Sequence, residues 1–290
     1  MRFRDPRLDE ECPAWGSTDA QAAARVFGDL TAHAQRPIDQ IAHEYWQYRG
    51  TKDLAAQQRV AQATEEAAVL DYYAATPHYL YELSYWEACH DKQMWFRVLA
   101  LACRKYQLRR LLDFGGGVGG LCLYLNMRGI RCEYLDVRGK TFEYSSWRFA
   151  RHHLTIPMYD VTSNGQPSEG CYDGIVVWDV LEHLFDLEGA VRRIIRLLRP
   201  GGWLMSKSTF AVAGGRHEAI HLAQHACYAD VAKLNALFAS HGLRYRGQLK
   251  PNRPSRLLRT LRFRHAVAGV RIVPRLKHGG NFLVHEKVRV

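Results

Sequence analysis

Residues 111–125 read LLDFGGGVGGLCLYL. A short apolar run, Arg110 to Phe114, leads into Gly115, Gly117 and Gly120, spaced as G-x-G-x-x-G, and then into an apolar stretch suited to opening a helix. Glycines at that spacing say only that the backbone turns tightly and lets a ligand or a helix come close. The flanking charge is more informative. Asp113 stands at the carboxyl end of the predicted strand, where an open α/β sheet binds its ligand, and a carboxylate there repels a pyrophosphate but favours a cation. Asp136 closes the next apolar run, 23 residues further on, a position suited to accepting bonds from ribose hydroxyls. No Lys-Ser or Lys-Thr follows the glycines, which sets aside P-loop chemistry.

Outward from this loop, short apolar runs alternate with amphipathic segments, the pattern of βαβ units and a doubly wound sheet. Strands are predicted at Arg110 to Phe114, Arg131 to Leu135, Leu154 to Asp160, Gly174 to Trp178 and Trp203 to Ser206, with two more at Leu243 to Leu249 and Phe282 to Val288. Helices are expected at Gly119 to Met127, Thr141 to His153, Leu187 to Leu198 and Asp230 to His241, the last closed by Gly242. Residues 1–108 read as helices without strands. Ser17-Thr18-Asp19 suits an N-cap before an Ala-rich run, and Thr51 could cap a second helix reaching about Ala75. Between Tyr72 and Phe96 the chain turns aromatic, with Tyr72, Tyr73, Tyr79, Tyr81, Tyr85, Trp86, Trp95 and Phe96 at spacings that fit a core stripe or a pocket wall.

Several ordered motifs together resemble the class I S-adenosylmethionine-dependent methyltransferases. The first strand ends in an acid followed by G-x-G-x-G, here Asp113, Gly115, Gly117 and Gly119; Asp136 closes the second strand; Asp160-Val161 follows the third; YDGIVVWDVLEHL (172–184) matches the fourth strand and its exit, and RPGGWLM (199–205) the turn into the fifth. The resemblance covers roughly Arg109 to Met205. It implies a Rossmann-like sheet, mostly parallel with an antiparallel last strand, preceded by a helical lid over residues 1–108, and S-adenosylmethionine as cofactor, released as S-adenosylhomocysteine. Asp113 would then hold the methionine amino group, Asp136 the ribose, Asp160 and Val161 the adenine, with Asp179 also on the cofactor side. The charges agree, because a sulfonium and an ammonium without phosphate favour acidic strand ends. Asp173, at the start of a strand, reads as structural.

Methyl transfer from a sulfonium needs no acid, because the leaving group departs neutral, so the protein's share is orientation, water exclusion and, for some acceptors, removal of a proton. Candidate bases are His183, in the L-E-H motif, where a supporting role competes, and His221, in GGRHEAIHLAQHACY (214–228). His217, His221 and His225 are four apart and share a face if helical, yet lack an accompanying carboxylate, so no metal site is expected there. His225 and the tyrosines at 72, 73, 79, 81 and 85 are expected to shape the acceptor pocket.

Composition limits the partners. A formal charge of +11 arises in the last fifty residues, where thirteen Lys or Arg face a single acid, Glu286. The basic run 250–279 reads as an insertion that serves an anionic or carrier-bound small molecule, or alternatively RNA or tRNA. No N-P-P-Y or D-P-P-Y motif of base-amino methyltransferases occurs, which favours a small-molecule acceptor in specialised metabolism. A non-catalytic cofactor-binding protein is a further alternative, and a nicotinamide-dependent oxidoreductase the weakest. The seven scattered cysteines form no C-x-x-C pair, and neither a signal peptide nor a transmembrane run is found, so a cytoplasmic protein is expected.

Overall fold

The computed structural model describes residues 18–49, 54–76, 78–210, 221–252, 269–273 and 281–288. The chain begins with helices α1 (Ala20–Ala34), α2 (Ile38–Tyr48), α3 (Leu54–Ala61), α4 (Glu66–Ala75), α5 (Tyr79–Ala88) and α6 (His90–Lys105). It continues as β1 (Arg110–Phe114), α7 (Gly120–Asn126), β2 (Arg131–Asp136), α8 (Lys140–Arg151), β3 (Met158–Asp160) and β4 (Tyr172–Trp178). After a 3-10 turn at Leu181–His183 come α9 (Leu187–Leu197), β5 (Leu198–Lys207), a second 3-10 segment at Ala223–Ala229, α10 (Val231–Ser240), β6 (Leu243–Asn252), β7 (Gly269–Val273) and β8 (Leu283–Lys287).

The strands form one sheet in the order β3-β2-β1-β4-β5-β8-β6-β7. β1 to β5 pair in parallel, and β8 lies antiparallel between β5 and β6. Both faces are covered, as near-continuous apolar strands require. Leu111, Cys132, Val176 and Met205 face α6 and α7, while Leu112, Leu135, Ile175, Val177 and Leu204 face α9 and α10. This is the Rossmann-like, doubly wound arrangement.

Two local differences from the sequence reading, in β3 and β7, have physical causes, and the N-cap expected near Asp19 is present. β3 is only three residues long, because Leu154 to Pro157 form an irregular approach to the sheet edge. β7 arises inside the basic run and pairs with β6 at the other edge, and its sequence GVRIV is too short to stand out there. Asp19, whose side chain accepts from the Ala22 N–H at 3.0 Å, caps α1, whereas the proposed Thr51 cap lies outside the described residues. Asp173 is structural as read: Oδ2 accepts the Arg109 and Arg110 N–H groups at 2.7 and 2.8 Å, and Oδ1 accepts from Arg199.

The early helices are tied to the sheet by buried charge. Arg148 on α8 is fully buried and donates to Asp29 on α1 (2.8 Å), to both oxygens of Glu87 on α5 (2.6 and 2.9 Å) and to the Val118 carbonyl in the glycine loop (3.1 Å). A Cβ at Gly120 would overlap the Glu87 carboxylate. The last glycine of the G-x-G-x-x-G pattern is therefore demanded by a helix packed on the loop, with no pyrophosphate involved.

Candidate active site

Strand order reverses between β1 and β4, the place where an open α/β sheet collects its ligand. A cavity of about 900 Å³ opens there, between the carboxyl ends of the strands and helices α4, α5 and α6. Asp113, Gly115, Gly117, Asp136 and Val161 line one end; Tyr73, Tyr79, Glu182, His183 and His221 line the other.

At the first end the loop is fixed by its own backbone. Gly115 has φ 79° and would drive a Cβ into Val180, so no other residue fits without displacement. Asp136 accepts the Gly117 N–H through Oδ2 (2.6 Å) and the Val137 N–H through Oδ1 (2.7 Å), while Tyr134 donates to the Gly117 carbonyl (2.7 Å). Those bonds aim the Asp136 carboxylate along the cavity wall, and each oxygen keeps acceptor capacity. Asp113 is buried, which raises its pKa to about 7 against the opposing pull of Lys92.

Lys92, on the first turn of α6, was not singled out in the sequence. Its Nζ stands 3.2 Å from the Trp86 ring centroid and 3.3 Å from that of Trp178, a cation held between two aromatic faces. Burial lowers its pKa to about 7, against the attraction of Asp179 and Asp113. Asp179 directly follows β4 with φ 50°, an uncommon backbone for a residue other than glycine, and its N–H donates to the Lys207 carbonyl at 2.7 Å. Lys92 sits three and four residues before the buried Trp95 and Phe96, so a charge on the apolar face of α6 was the available signal.

At the far end, the 3-10 turn carries Glu182 and His183 toward His221. The three ligand atoms lie within 4.8 Å of one another, and the Leu222 N–H donates to the Glu182 carbonyl at 3.1 Å, joining two segments far apart in sequence. The His183 ring meets Tyr73 and His221 edge-on, at 5.7 and 5.0 Å between centroids.

The remaining candidates fall elsewhere. Tyr81 and Tyr85 are 1% exposed and pack with Phe27, Tyr45 and Val118, so this part of the aromatic run is core rather than pocket wall. Tyr72 stands behind Tyr73 and Tyr79, packed with Val69 and Leu222. His225 is engaged with the Leu184 carbonyl at 2.7 Å and braces the exit of the 3-10 turn. The 3-10 geometry of Ala223–Ala229 removes the face expected for His221 and His225, and His217 lies outside the described residues. Gly119 (φ 73°) is the N-cap of α7 against Phe149, set back from the cavity. Asp160 turns to its own loop, accepting from the Thr162 N–H and Oγ1 at 2.9 and 2.7 Å, and leaves Val161 on the cavity wall.

This donor set fits a cationic nucleoside. Acids line the end beside the glycine loop, and the protein's own ammonium occupies an aromatic-walled position next to two of them. An ammonium and a sulfonium would find favourable charge there, whereas a pyrophosphate would meet three carboxylates, Asp113, Asp136 and Asp179.

Comparison with known protein families agrees. Residues 77–247 match the methyltransferase domain family. Over 136 residues the chain is 29% identical to the ubiquinone biosynthesis O-methyltransferase of Methylocella silvestris, a match covering 42% of this chain and 53% of that protein, so the chain spans about half the length of this curated relative. Among solved structures, it is similar to the 1,6-didemethyltoxoflavin-N1-methyltransferase of Burkholderia thailandensis (18% identity, 77% of this chain and 88% of that one, TM-score 0.48). It is also similar to a methyltransferase of Thermotoga maritima (14% identity, 72% and 95% coverage, TM-score 0.47).

Proposed function

The chain belongs to the class I S-adenosylmethionine-dependent methyltransferase family, and from that premise we propose that it methylates an oxygen of a small, ring-containing acceptor. The observation that carries the reading is one cavity lined both by the acids beside the glycine loop and by the aromatic and imidazole side chains gathered at the 3-10 turn. Oxygen is favoured because the curated relative is named an O-methyltransferase.

Bound S-adenosylmethionine supplies a methyl group on a sulfonium, which departs as a neutral thioether. Asp113 would hold the amino group of the methionine part, and Asp136, already oriented by Gly117 and Val137, would accept from the ribose hydroxyls. Val161 offers an apolar contact to the base. Tyr73 and Tyr79 would pack against the acceptor ring, and His221 or His183 lies where a proton leaving the acceptor hydroxyl could be taken. Filling the cavity with both reactants would displace water, which competes for the bonds that orient them. The acceptor is a small molecule, either free or presented on an acidic carrier that the basic stretch 250–279 would attract.

The test is transfer of radiolabelled methyl from S-adenosylmethionine to a panel of phenols, catechols, aromatic amines and RNA. Label in a phenol or catechol is expected. Label confined to RNA or amines would overturn the oxygen reading.

A further inference from the structure

We propose that Glu182, His183 and His221 bind a first-row divalent cation at the acceptor end of the cavity, and that the cation holds the acceptor through its oxygen. The second half rests on the methyl-transfer reading; the first stands without it.

Glu182 is 1% exposed. Its Oε1 accepts the Thr209 N–H at 2.8 Å, while Oε2 is buried without a hydrogen bond of good geometry among the described residues, the Ser208 hydroxyl standing beside the carboxylate. A buried carboxylate oxygen left in that state is costly, and a cation is the partner that satisfies it most fully. The two imidazoles lie within reach, all three ligand atoms falling within 4.8 Å of one another. The backbone fixes this meeting: the His183 N–H donates to the Val180 carbonyl at 2.9 Å, and the Leu222 N–H to the Glu182 carbonyl at 3.1 Å. Thr209 orients the carboxylate as an outer partner does in metal sites.

Two imidazoles and one carboxylate oxygen suit manganese, iron, cobalt or zinc rather than calcium or magnesium, and three protein ligands leave positions open. All three residues line the cavity, so the open positions face the space assigned to the acceptor. With a hydroxyl oxygen of the acceptor on the cation, its O–H bond breaks and the proton passes to solvent. The oxygen then forms the new C–O bond as the C–S bond breaks, its electron pair staying on sulfur. The imidazoles serve as ligands in that state and no separate base is needed.

The experiment is titration of the chelator-treated full chain with cobalt(II), followed by ligand-field absorption and calorimetry, in the wild type and in Glu182→Gln, His221→Ala and Cys227→Ser. One equivalent of cobalt is expected in the wild type, with affinity reduced about tenfold or more in the first two variants and unchanged in the third, whose thiol is exposed. S-adenosylhomocysteine binding, expected to persist in all four proteins, reports an intact fold. Absence of cobalt binding in the wild type, or equal binding by Glu182→Gln and His221→Ala, would overturn the site. Failure of the wild type to bind S-adenosylhomocysteine would instead sink the methyltransferase assignment, with the cobalt result still deciding the metal.

Discussion

Two groups of buried charge meet the glycine loop and are built differently. Around Arg148 the network is closed: one guanidinium is shared by Asp29, Glu87 and the Val118 carbonyl, and His152 Nε2 lies 2.9 Å from Asp29. Burial would push the Asp29 pKa up, but Arg148 and His152 outweigh it and hold it below the usual carboxylate range. Around Lys92 the group is open: ammonium and carboxylates line a cavity, and burial drives Lys92 down and Asp113 up until both sit near 7. Charge that the protein satisfies for itself holds the fold together. Charge it leaves strained in a cavity is poised for a ligand.

The contrast is broken most directly by removing the cation from each group. Arg148→Met would leave the Glu87 carboxylate buried without its main partner and Asp29 with only His152 and Arg151, and should lower unfolding free energy by about 3–5 kcal/mol in denaturant titration. Lys92→Met removes a charge its surroundings already disfavour, and should cost under about 1 kcal/mol. Equal losses would abolish the distinction. Next in size, Asp136→Ala should weaken S-adenosylhomocysteine binding by about 1.5–3 kcal/mol in calorimetry, because it removes charge-assisted bonds to the ligand and releases the Gly117 and Val137 N–H groups that the carboxylate holds.

A smaller effect follows from titration. As pH rises from 6 to 8, Asp113 loses its proton and becomes an anion, while Lys92 loses its proton and becomes neutral. Both changes favour a cationic ligand, so S-adenosylmethionine should bind several-fold more tightly at pH 8 than at pH 6. A flat profile, or tighter binding at pH 6, would place the cofactor away from this pair. Smallest of all, Asp160→Asn should change cofactor affinity less than about twofold, because its carboxylate serves the Thr162 turn.

How much of this was legible in the sequence depended on whether the signal was local. Strand ends were: Arg110 to Phe114 and the acid at 136 follow from apolar runs stopped by a carboxylate and a turn. The aromatic run was not, because periodicity cannot say which side of a helix faces a cavity; Tyr79 lines it while Tyr81, two residues on, is core. Lys92 was hidden because its partners Trp178 and Asp179 lie more than eighty residues away. His183 and His221 were separate candidates because 38 residues part them in the chain. Helical spacing pointed instead to His225, which a 3-10 segment turns to the Leu184 carbonyl.

The central claim is that the acidic end of the cavity binds a cationic nucleoside rather than a dinucleotide. Calorimetric titration of the wild-type chain with S-adenosylmethionine, S-adenosylhomocysteine and NAD tests it most directly. Saturable binding of the first two, and none of NAD, is the predicted result; binding of NAD alone would contradict it.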